Sequence, residues 1–150
     1  MRSDPPAQLA VLLAMTGLTQ TDAAALLGVA GRSMRRWIEG AQPPPAVVIE
    51  RLAALARELD QVADQMVSAI NEEESQQAIL LVYRRDDDVP AWTGLRTAGC
   101  HLAMVRRVVE RRPDVQLVSY HRGAYRRWLG CRPDSEQMRA GWAASCLARL

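Results

Sequence analysis

The chain has 150 residues, 49% hydrophobic and 24% charged, with a formal net charge of +2. That length holds one ordinary domain or two small ones and is enough to bury a core, and the composition excludes a disordered chain. No apolar run approaches the roughly 20 residues that span a bilayer, and the apolar N-terminal stretch follows Asp4 and two prolines rather than a basic segment, so no membrane span or signal peptide is expected and the cytoplasm is the default compartment.

The charge is unevenly spread. Residues 1–45 carry four Arg and three acids, residues 46–75 two Arg and seven acids, and residues 76–150 thirteen Arg and seven acids. An acidic middle therefore precedes a basic C-terminal half. Every basic residue other than the two histidines is Arg, so any phosphate or carboxylate contact would use a planar guanidinium fork.

Four apolar-periodic blocks open the chain. Leu9, Leu12, Leu13 and Thr16 fall at helical spacing over Ala7 to Thr16, between Pro5-Pro6 and Gly17. A second helix is expected from Thr19 to Leu27. Thr19 and Asp22 are spaced as a capping box, Ala23, Leu26 and Leu27 form the inner face, and Gly28 ends it. A third short helix runs from Gly31 to Glu39 and stops at Gly40; Pro43, Pro44 and Pro45 then block continuation and suit the start of the next helix. The fourth block, from Ala46 to about Asn71, has no Gly or Pro. Val48, Leu52, Leu55, Leu59, Val62 and Met66 form a heptad-like seam, which suits either packing within the chain or a contact between two copies.

The polar run EEESQQ at 72–77 divides the chain, and the period changes after it. AILLVYR (78–84) reads as a strand, DDDVPAW as a polar loop, Ala98 to Arg112 as a helix and VQLVSY (115–120) as a second strand. On that helix Leu102, Val105, Val108 and Val109 are expected inward, and Arg106, Arg107, Arg111 and Arg112 outward. Strand–helix–strand is a crossover unit, so the two strands should be parallel. Helices at Gly123–Leu129 and Ser135–Leu147, with Pro133 between them, complete the tail. The expected architecture is mainly α: a helix-turn-helix bundle (1–45), a long connecting helix (46–77) and a small α/β domain with a two-stranded parallel sheet (78–150), the last a candidate for dimerisation.

The second and third helices are joined by Gly28-Val29-Ala30, the short Gly-containing turn of a helix-turn-helix unit. On the third helix Arg32, Arg35, Arg36 and Glu39 fall at i, i+3, i+4 and i+7, one continuous face, with Met34, Trp37 and Ile38 opposite. One face packs while the other presents three guanidinium groups, which can bond guanine O6 and N7 or phosphate. An ordinary solvated face is the competing reading.

TQTDAAALLGVAGRSMRRWIEG resembles the helix-turn-helix of the lambda-repressor/Cro-like (XRE) superfamily: Thr19-Gln20 opens helix two, Gly28-Val29 makes the turn, and Arg36-Trp37 closes helix three just before Gly40. The resemblance implies a phosphate contact for Gln20, base-edge contacts for Gly31, Arg32, Ser33 and Arg35, and a base or phosphate contact for Arg36. Where Gly31 stands, the superfamily usually has a polar side chain, so this position can contribute only its backbone. Residues 118–147 are similar to the C-terminal segment of YdiL-like regulators, which include anti-CRISPR-associated repressors; Tyr120, Pro133 and Trp142 carry the likeness. The extra strand and helix at about 78–112 depart from it.

The remaining residues point to no catalysis. Cys100, Cys131 and Cys146 have no CxxC spacing, and Cys100 with His101 and His121 lacks further ligands at a zinc-like spacing, so no metal is expected. Asp86, Asp87 and Asp88 lack the alternating ligands and Gly of a calcium loop and read as a solvated turn. There is no Gly-rich phosphate loop, GxSxG elbow or HExxH, and no cofactor is implied. The Arg pairs 106–107, 111–112 and 126–127, with Tyr120, Tyr125 and Trp128, suit either a solvated face or an RNA-binding surface. The expected function is a homodimeric, sequence-specific regulator of transcription that binds double-stranded DNA at an inverted repeat, most simply a repressor. The rival expectations are an antitoxin-like adaptor whose C-terminal domain binds a protein or RNA partner, and an enzyme using the α/β tail, against which the absence of a nucleophile–base set weighs.

Overall fold

The computed structural model describes residues 4–72 and 78–150, and these are mainly helical with one small parallel sheet. In chain order come α1 (Pro5–Thr16), α2 (Gln20–Leu27), α3 (Gly31–Ile38), α4 (Ala46–Glu72), β1 (Ile79–Val82), two short 3-10 turns (Asp86–Asp88 and Ala91–Thr93), α5 (Ala98–Arg111), β2 (Gln116–Ser119), α6 (Arg122–Leu129) and α7 (Glu136–Leu147). The chain divides into two units, Met1–Val62 and Ala63–Leu150. The division falls inside α4. The polar break expected at 72–77 lies, apart from Glu72, outside the described residues. Among the described residues no single helix is long and apolar enough to cross a membrane.

In the first unit the helix ends are set by local chemistry. Asp4 caps α1 by accepting the Ala7 N–H, with Pro5 and Pro6 in the first turn, so the helix starts two residues before Ala7. Thr19 caps α2 by accepting the Asp22 N–H at 3.1 Å. Asp22 does not complete a capping box: it accepts the Thr19 hydroxyl at 2.7 Å, which locks the cap's rotamer instead of satisfying a backbone amide. At the other end Gly28 adopts φ +66°. Its N–H and that of Val29 return to the carbonyls of Ala25 and Ala24, closing α2 with a Schellman turn. α1 bends into α2 by 97°, and both pack against α3. Leu9, Leu12, Ala23, Leu27, Met34 and Trp37 are buried.

The stripe of α4 expected to form a seam is largely covered within the single chain. Val48, Leu52, Ala56, Leu59 and Ala63 are buried, while Leu55, Val62 and Met66 are half-buried. Burial drifts from a 3.5-residue towards a 3.6-residue repeat, which is what a straight helix packing on its own neighbours requires. Arg51 adds a polar tie: its guanidinium donates to the carbonyls of Leu26 at 3.1 Å and Leu27 at 3.2 Å. A cation there satisfies carbonyls left open at the C-terminus of α2.

The second unit is built on the parallel pair β1–β2, registered Ile79 to Gln116 through Val82 to Ser119, with α5 as the crossover. α7 packs on both strands and α6 packs on α7. Tyr83, Val118, Tyr120, Tyr125, Trp142 and Ala143 form the core, with Ile79 and Leu81 against it, as the alternation of a pleated strand dictates. The face of α5 differs from the one expected. Leu102 is 44% exposed and Arg107 is buried, its guanidinium donating to the Ala103 carbonyl. The inward residues are Cys100, His101, Ala103, Met104, Val105 and Val108.

The aspartate turn also departs from the expectation of a solvated loop. Asp86 accepts the Ala98 N–H at 2.8 Å, at the start of α5. Asp88 is buried and paired with Arg122 at 2.6 Å. Arg139, its side chain only 11% exposed, donates to Asp134 at 2.7 Å and to the Asp88 carbonyl at 2.8 Å. Its guanidinium also lies 4.7 to 5.5 Å from the ring centres of Tyr120, Trp92, Tyr83 and Tyr125. A buried charge is tolerated only with such partners. Arg122 and Arg139 reach Asp88 from 34 and 51 positions away, so local spacing gave no signal for those contacts.

Candidate nucleic-acid interface

α2 and α3 bring their N-terminal turns together. Between them lies an open recess of about 470 Å³, lined by Gln20, Thr21 and Ala24 of α2 and by Gly31, Arg32 and Arg35 of α3. Four residues expected to touch DNA, Gln20, Gly31, Arg32 and Arg35, thus share one concavity. Arg36 is exposed and Ser33 half-buried, and neither lines the recess. Thr21 and Ala24 were not foreseen; they follow Gln20 at i+1 and i+4.

The backbone contributes as well. Ala30 occupies the cap position of α3 without a side-chain hydrogen bond, whereas Thr19 caps α2. No side chain therefore caps the first turn of α3, where the Ser33 and Met34 N–H groups return to the Ala30 carbonyl, and an anion placed at this end would meet the positive end of the helix dipole. Gly31 is helical, its φ is not positive, and an added Cβ would meet nothing within 4 Å. The absent side chain is thus not demanded by the fold.

The guanidinium groups differ in their partners. Arg35 donates through Nε to Glu39 at 2.7 Å, one turn on, with both side chains largely in solvent. That bond raises the Arg35 pKa and uses Nε, one of the guanidinium's three nitrogens. Among the described residues Arg32 and Arg36 pair with no carboxylate. Behind them Met34 and Trp37 are buried, so the helix has one anchored and one presented face. The Arg35–Glu39 spacing was visible in the sequence; its use to orient one particular nitrogen was not.

Elsewhere none of the three cysteines is in a disulfide; Cys100 is buried and Cys131 exposed. No cluster of metal-ligating side chains occurs among the described residues. His101 is buried on α5, its Nε2 2.8 Å from the Leu81 carbonyl and its ring edge-on to Tyr83 at 4.8 Å.

The molecule thus combines a helix-turn-helix bundle with a small α/β unit. No protein-family model matches the chain, and no curated protein matches it.

Proposed function

We infer that the protein is a sequence-specific DNA-binding regulator, acting in the cytoplasm as a homodimer that represses by occupying an inverted repeat. The observation that carries this reading is the shared recess, where Gln20, Gly31, Arg32 and Arg35 meet at the uncapped start of α3. In this reading α3 lies in the major groove. Arg32 and Arg35 read base edges, Gln20 and the N-terminal end of α3 hold phosphate, and Arg36 extends the footprint. Half-sites would lie about 10 bp apart or a multiple of that.

The test is fluorescence anisotropy with the DNA upstream of the protein's own reading frame, against a scrambled duplex, across a salt series. The expected result is nanomolar, salt-sensitive binding to the native duplex with two protomers per site. Equal and weak binding to both duplexes would reduce the arginine face to a generic basic surface.

A further inference from the structure

The second unit contains a pocket of its own, which shares no lining residue with the recess on α2 and α3. It encloses about 410 Å³ and is lined by Tyr120, Tyr125, Arg139, Asp134, Arg126 and Asp87, among others. That volume lies in the range of small-molecule sites. Its floor is already hydrogen-bonded: Arg139 is held by Asp134 and the Asp88 carbonyl, and the Tyr125 hydroxyl donates to Asp134 at 2.6 Å. Burial and the adjoining carboxylate push the Tyr125 hydroxyl well above its ordinary pKa, while the Arg139 guanidinium holds Asp134 below the usual carboxylate range. A floor of two ion pairs contributes little net stability compared with an apolar one, so such clusters in a cleft are candidates for function.

What distinguishes the pocket is what its floor leaves over. Asp134 is taken by Arg139 and Asp88 by Arg122. Among the described residues neither Arg126 nor Asp87 has an ion-pair partner, and they do not pair with each other across the same pocket. One free cation and one free carboxylate, separated by more than ion-pair distance, are complementary to a molecule that itself carries both charges.

We propose that this pocket binds a small zwitterion of the α-amino-acid type, its carboxylate on Arg126 and its ammonium on Asp87. The site is independent of the DNA-binding reading.

The experiment adds the standard L-amino acids singly, at millimolar concentration, to the full-length protein. It follows thermal melting and amide NMR shifts, with the matching carboxylic acids lacking the amine as controls. At least one amino acid is expected to raise the melting temperature and to shift amides of α6 and of residues 86–88, while its deaminated counterpart does neither. Arg126→Gln and Asp87→Asn should each weaken that binding about tenfold or more, the scale of a lost charge-assisted contact. Both residues are exposed, so the unliganded variants should melt like the parent. No shift with any amino acid, equal binding of the deaminated acid, or binding that survives both substitutions would overturn the proposal.

Discussion

Arg35 is the side chain on which the DNA-binding reading can be tested most sharply. Its Nε is occupied by Glu39, so only the outer fork is free to meet a base. Arg35→Ala should lose roughly 1–3 kcal/mol at one base step and relax specificity there. Uniform weakening on all sequences would make Arg35 a phosphate contact. Glu39→Gln is expected to tighten binding to every duplex by removing a negative charge from the presented face, yet to lessen discrimination because the fork is no longer oriented. Gln20→Ala should weaken binding with little change in preference; the anisotropy assay reads all three. A different residue governs acid stability. Nε2 of His101 donates to the Leu81 carbonyl, and its buried Nδ1 meets no donor among the described residues. Burial lowers its pKa below the ordinary 6.5. A protonated ring would bury an unpaired N–H. The unfolded chain therefore binds the proton first, so stability from His101 is present above that ordinary value and falls as pH drops below it. Melting temperature should decline from about pH 7 to about pH 5, and His101→Gln should flatten that slope. An unchanged slope would show that other groups set the acid limb.

Elements were legible wherever a local residue marks their ends. Thr19, Gly28, Gly40 and the proline run set the boundaries of α2, α3 and the start of α4 through caps and blocked dihedrals, which depend on immediate neighbours alone. The two strands and their parallel pairing followed in the same way from a change of period and the helix between them. The recess was half legible: helical spacing aligned Arg32 and Arg35, but nothing local said that α2 would bring Gln20 alongside. The face of α5 was misjudged because Arg107 and Leu102 exchange the places hydropathy assigns them. Arg107 is buried with its charge on a carbonyl of its own helix, a solution that periodicity does not encode. Gly28 offers a test at this scale. Its left-handed backbone would cost an alanine about 1–2 kcal/mol, so Gly28→Ala should lower the urea midpoint. Gly31→Ala, in ordinary helical backbone, should leave it unchanged or raise stability by up to about 1 kcal/mol. Equal effects at both positions would show that the turn's handedness is not what matters.

Across the whole molecule, charge separates by role. On α3 guanidinium groups face solvent, whereas in the second unit several are consumed by structure: Arg107, Arg122 and Arg139 each hold backbone or carboxylate oxygens. The basic excess of residues 76–150 therefore overstates the cation available to a nucleic acid. That could not be read from composition, because Asp88 meets partners 34 and 51 positions away. The clustering of aromatic rings has an optical consequence. The chain has three tyrosines and no phenylalanine, and Tyr83, Tyr120 and Tyr125 all lie in the second unit's core. Burial raises the pKa of each above its ordinary 10.0. Stability from these protons is full below that value and lost as pH climbs past it. Tyrosinate absorbance in alkali should accordingly emerge in one cooperative step as the second unit opens, and the first unit, which has no tyrosine, contributes nothing to it. The protein thus carries a built-in absorbance probe for one half alone, with no dye attached.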